Sequence, residues 1–72
     1  MTRTFRIAAH GGHACDAELT PEASGFAYEV WRRAGAGRRA LVCQGWTAGT
    51  LAEGLDEAQQ HTGETLRRTA CG

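Results

Sequence analysis

The sequence predicts an α+β domain: a four-stranded antiparallel meander with one carboxyl-terminal α-helix packed on one face. Three observations predict it. Apolar residues recur at every second position at Phe5, Ile7 and Ala9, at Cys15, Ala17 and Leu19, and at Phe26, Tyr28 and Val30, the period of half-buried strands. Breaks rich in turn residues, HGGH at 10–13, TPEASG at 20–25 and AGAG at 34–37, interrupt that alternation at hairpin intervals. After Trp46 the apolar period lengthens to that of a helix. Residues 1–72 read as a single small domain. A chain of this length buries only about 60% of the surface its unfolded form exposes, so its core is small.

In the first strand Phe5, Ile7 and Ala9 alternate, and in the second Cys15, Ala17 and Leu19. A one-residue slip would turn every side chain to the opposite face, which makes the loop length decisive. A two-residue Gly11–Gly12 turn would oppose Ile7 to Asp16 and Phe5 to Glu18. A three-residue loop, Gly11–Gly12–His13, instead sets Phe5 against Leu19, Ile7 against Ala17 and Ala9 against Cys15, with Arg6 opposite Glu18 outside, and is the register expected. TPEASG, holding the single proline, is the expected connector to the third strand.

For GFAYEVWRR and RRALVCQGW, a Gly35–Ala36 turn sets Val30 against Leu41 and Tyr28 against Cys43, near Phe26. The other side then carries Ala27, Glu29, Trp31, Arg33, Arg38, Ala40, Val42 and Gln44, with Trp46 at its end. In the helix, Leu51, Leu55, Ala58, Thr62 and Leu66 form the apolar stripe, opposite Glu53, Asp56, Glu57, Gln60, Glu64, Arg67 and Arg68. Thr50 and Glu53 form a T-x-x-E capping box at its start. Gly63 is a place for the helix to end or kink.

Eight arginines, with no lysine, balance eight acidic residues, and such neutrality argues against a protein dominated by non-specific phosphate binding. Cys15, Cys43 and Cys71 are odd in number and widely spaced, a poor disulfide framework and a better fit to reduced thiols. No signal-peptide core or membrane span is legible, so a cytoplasmic protein is expected.

HGGHACD, residues 10–16, gathers His10, His13, Cys15 and Asp16 and raises the question of zinc, which takes four tetrahedral ligands or three and a water. In the expected hairpin His10 points outward and Cys15 inward, so the two cannot share an ion. Cys43, His61 and Cys71 add no paired spacing such as C-x-x-C. Gly35 and its neighbours follow no phosphate-loop pattern, and Cys15 and Cys43 read as small core residues. Neither a metal, nor another cofactor, nor a catalytic activity is expected.

One helix leaves the opposite face of the sheet open, and there the expected binding residues gather. Trp31, Trp46, Arg33 and Arg38 lead, joined by Arg32 and Arg39 at the hairpin tip. Tryptophan and arginine are the side chains most enriched at binding hot spots, because a rigid ring buries much area and a guanidinium makes forked hydrogen bonds. A protein partner is the leading expectation. The arginine hairpin 32–39 offers nucleic acid as the alternative, and stacking of two sheet faces in a homodimer is another way to cover the indoles.

GTLAEGLDEA, residues 49–58, resembles the segment of HicB-like antitoxins in which a strand ends at a Gly-x-Thr-Leu-like cap before an E-E-A-L-type helix. Thr50, Leu51, Glu53, Leu55 and Ala58 fit, while Gly54 stands where the family usually has alanine. The resemblance implies a strand-rich module that neutralises a larger protein by occupying its surface. It does not extend to the DNA-binding segment many such antitoxins carry, so DNA autoregulation does not transfer. Small phage-encoded inhibitors, anti-CRISPR proteins among them, are similar in size and point to a protein or ribonucleoprotein target. The expected function is therefore that of a non-catalytic stoichiometric inhibitor.

Overall fold

In the computed structural model the described residues are 1–8, 14–33 and 36–71. They form β1 (Arg3–Ala8), β2 (Ala14–Glu22), β3 (Gly25–Arg33), β4 (Arg39–Ala48) and α1 (Leu51–Cys71). The strands make one antiparallel sheet in the order β1-β2-β3-β4, and α1 packs on one face of it, the expected α+β architecture.

The register differs from expectation in two places. In the first hairpin Phe5 opposes Ala17 and Ile7 opposes Cys15, a slide of two residues from the expected pairs. A slide of two keeps every side chain on its face, so Ile7, Cys15, Ala17 and Leu19 are buried as expected. It also sets Arg6 against Asp16, 3.6 Å apart, and frees Glu18 for another cation. The expected Gly11–Gly12–His13 loop and the Ala9 pairing lie outside the described residues. TPEASG is not all connector: β2 runs on to Glu22, and Ala23 and Ser24 make the turn, Ala23 with φ 55°. Pro21 is tolerated because the last β1–β2 pair is Arg3 with Leu19, so no ladder bond to β1 is lost there.

The second hairpin pairs Val30 with Cys43 and Tyr28 with Gly45, not with Leu41 and Cys43. Gly45 is the reason. A β-carbon there would lie 2.7 Å from the Tyr28 hydroxyl oxygen, so only glycine lets the ring cross β4 toward the helix, where Tyr28 Oη lies 2.8 Å from His61 Nδ1. Beyond Val30 the register shifts: Trp31 opposes Leu41 and Arg33 opposes Arg39, leaving Val42 as an extra residue in β4. This bulge reverses three expectations. Leu41, expected inside, is 44% exposed; Val42, expected outside, packs on the core; and Ala40 now pairs with Arg32 on the helix side. Ahead of β4 the chain turns with positive φ at Ala36 and Gly37; Gly35 lies outside the described residues.

The core joins Ile7, Cys15, Ala17, Leu19, Tyr28, Val30 and Cys43 of the sheet to Ala58 of the helix, with Phe5, Phe26, Leu51 and Leu55 around it. The helix face buried most deeply is narrower than the expected leucine stripe: Gly54, Ala58 and Thr62, four residues apart, with Leu51, Leu55 and Leu66 half-buried beside them. Small residues let the helix approach closely. A β-carbon at Gly54 would lie 3.0 Å from Leu19 Cδ2 and 3.3 Å from Phe26 Cβ, which accounts for glycine at this position. Thr62 is fully buried and its hydroxyl donates to the Ala58 carbonyl at 2.7 Å. Gly63 neither ends nor interrupts the helix, which continues to Cys71.

The capping box forms as expected. Thr50 N–H donates to Glu53 Oε1 at 2.9 Å, and Glu53 N–H donates to Thr50 Oγ1 at 3.3 Å. The bonds from Thr50 hold the Glu53 carboxyl below the ordinary carboxylate range. A lowered folded value means that the stabilisation is full above the unfolded pKa and fades as pH falls through the folded one. Acid titration below about pH 4 should therefore lower the melting temperature of the native chain more than that of Glu53→Gln, measured by circular dichroism.

Candidate functional site

The face turned away from α1 is built from alternate residues of the four strands, and pairing across the sheet arranges them in rows. Arg33 and Arg39 make one row. Arg6, Asp16, Trp31 and Leu41 make the next, followed by Thr4, Glu18, Glu29 and Gln44, then by Thr20, Ala27 and Trp46. Rows are about 7 Å apart, two residues along an extended chain.

Both tryptophans lie on this face but differ in setting. The Trp46 indole is 48% exposed, and its Nε1 donates to the Glu22 carbonyl oxygen at 3.1 Å, so the ring reaches from β4 toward the end of β2. Alanine at position 27, opposite Trp46, leaves room for that crossing. Trp31 is half-buried. The Arg39 guanidinium lies 4.6 Å from its ring centroid and donates to Glu18 Oε2 at 3.0 Å, crossing the indole to join β4 to β2. The Trp31 Nε1 is buried without a hydrogen-bond partner among the described residues.

The four hairpin arginines are divided. Arg39 is held over Trp31, on the face where Arg38 was expected. Arg33 shares the outer row with it, and both help line a depression of about 460 Å³ beside Asp16. Arg38 is exposed just before β4 begins. Arg32 belongs to the opposite side, in a smaller hollow lined also by Ala40, Val42, Thr65 and Leu66 and bordered by Leu41 of the edge strand. A second large depression, about 450 Å³, holds Glu18, Glu22, Glu29, Thr20, Gln44 and Trp46. The open face is thus cationic at the β3–β4 hairpin and acidic further along the strands, with Trp31 and Leu41 between. Sequence reading missed Leu41, because the bulge that exposes it has no signature in a run of apolar residues.

Of the residues considered for metal or catalysis, Cys15, Cys43 and His61 have described surroundings. His10 and His13 lie outside the described residues. Cys15 and Cys43 are free thiols in the core, where burial pushes both up and leaves little thiolate at neutral pH. His61 is bonded to Tyr28, and the rings meet edge to face at 5.9 Å. The side chain of Cys71 is among those not described. Among the described residues no three histidines, cysteines or carboxylates are grouped to hold a metal ion, and no helix is long and apolar enough to cross a membrane.

Comparison with known protein families, curated proteins and solved structures finds no match to this chain.

Proposed function

We propose that the chain is a non-catalytic protein-binding module, a stoichiometric inhibitor that docks a larger protein or ribonucleoprotein through its open sheet face. The observation that carries this reading is the pair Trp46 and Leu41, 48% and 44% exposed, on a face that α1 does not cover. Large apolar side chains displayed in this way, ringed by arginines and carboxylates, have the composition of an interface centre with a polar rim. The resemblance of residues 49–58 to HicB-like antitoxins agrees with neutralisation by surface occupancy. Free thiols in the core suit a cytoplasmic setting.

Affinity purification from the native host, with the Trp31→Ala/Trp46→Ala chain as control, tests the reading. The native chain should retain a partner at equimolar ratio and the doubly substituted chain should lose it, with the helical circular dichroism signal kept. Retention by both would overturn the assignment. A salt series separates the alternative, nucleic-acid binding by the arginine hairpin. Phosphate contacts weaken steeply with salt, whereas a tryptophan-centred interface does not. The division of the arginines between the two faces favours the protein reading.

A further inference from the structure

We propose that in the free protein a second copy of this chain covers the hairpin end of the open face, the two sheets stacking about a two-fold axis that crosses the strands at the Trp31–Leu41 row. The inference rests on the reading of this face as a protein-docking surface and names the partner that occupies it when no other is bound.

On β3, Glu29 and Arg33 stand two residues either side of Trp31 and point to the same face. Both are exposed, and neither has an ion pair among the described residues. Each also faces a like charge across the sheet, Glu29 opposite Glu18 and Arg33 opposite Arg39, an unfavourable arrangement in an isolated sheet. Arg39 bonds Glu18 and so answers one member of each pair. The two charges left over are opposite in sign and equidistant from Trp31.

A two-fold axis through that row exchanges them. Arg33 of each copy comes over Glu29 of the other, twice per dimer, while the Trp31–Leu41 rows meet at the centre, each indole beneath an Arg39 that Glu18 neutralises. The same axis sets Arg6 over Arg6 and Asp16 over Asp16, and each Arg6–Asp16 pair, 3.6 Å apart in its own sheet, is neutral as a unit. An axis along the strands would place arginine on arginine, so the charge pattern selects one of the two face-to-face arrangements. Stacked sheets lie about 10 Å apart, within reach of an arginine from one layer and a glutamate from the other. The same patch serves both copies, as a closed dimer requires. A larger protein that binds this face has to displace the second copy.

Sedimentation velocity from low micromolar to millimolar concentration tests the proposal. The native chain should dimerise, and Arg33→Glu and Glu29→Arg should each raise the dimer dissociation constant at least tenfold, because each homodimer then opposes two like pairs. An equimolar mixture of the two variants should dimerise again. In the mixed dimer one cross-contact is the native Arg33 with Glu29, and the other is the same pair with its charges exchanged. Arg33 and Glu29 are exposed, so the variants should fold, and recovery on mixing is a result that damage to the fold would not give. A native chain that stays monomeric, charge variants that dimerise unchanged, or a mixture that stays monomeric would each overturn the dimer. Should the native chain be monomeric yet capture a host protein only with its tryptophans intact, the dimer fails and the docking face stands. Loss of both results removes the face as well.

Discussion

Leu19→Ala is expected to cost about 3–5 kcal/mol of folding stability, read as a lowered urea midpoint with little change in slope. Leu19 is fully buried and among the largest such side chains, and it sits where the helix comes closest, its Cδ2 beneath Gly54. A domain of this size has roughly 4–11 kcal/mol in all, so the variant should be partly unfolded at room temperature if native stability lies at the low end of that range. The void cannot close easily, because α1 is already seated on Gly54, Ala58 and Thr62 and has no bulky side chain to settle into the space. That geometry makes a second measurement informative. Gly54→Ala alone pushes a β-carbon to 3.0 Å from Leu19 Cδ2 and should destabilise despite alanine's better helix propensity. In the Leu19→Ala background the same β-carbon enters empty space. The double-mutant cycle should therefore show favourable coupling of about 0.5–2 kcal/mol. Strict additivity would mean that the two residues do not meet.

The parts of the fold legible in the sequence are those fixed by a short repeat. Alternation assigned Ile7, Cys15, Ala17, Leu19, Tyr28 and Val30 to the core, and those assignments survive the two-residue slide of the first hairpin because a slide of two preserves faces. The Thr50–Glu53 cap was legible because its bonds span three residues. What was not legible depends on contacts between distant segments. In ALVC, residues 40–43, every residue is apolar, so alternation gives no sign that Val42 bulges and turns Leu41 outward. Nothing local marks Gly45 and Gly54 as the points where Tyr28 and the helix need room. In the candidate site both tryptophans were placed on the open face by alternation. That one would lie under an arginine from the next strand required the actual register, in which Arg39, not Arg38, accompanies Leu41 on that face.

This difference between the indoles yields the largest effect expected on binding. Trp46→Ala should weaken capture of the proposed protein partner by about 30-fold or more, the loss of a hot-spot side chain worth ~2 kcal/mol, while the melting temperature moves little. Trp46 is half in solvent, and the bond it gives up in the fold is a surface one to Glu22. Trp31→Ala should behave otherwise. It removes the surface on which Arg39 stacks, and with it the support for the Arg39–Glu18 pair, so both stability and affinity should fall. Trp31→Phe separates those roles: the phenyl ring keeps a face for Arg39 and removes a buried N–H that has no acceptor among the described residues. Its stability should stay close to that of the native chain, since relief of an unsatisfied donor, about 1–3 kcal/mol, offsets the smaller ring. Calorimetric melting beside titration of the partner distinguishes the outcomes. If Trp46→Ala melts early and Trp31→Ala does not, the two rings have exchanged the roles their surroundings assign them, and the docking centre would have to move from Trp46 to the hairpin end of the sheet.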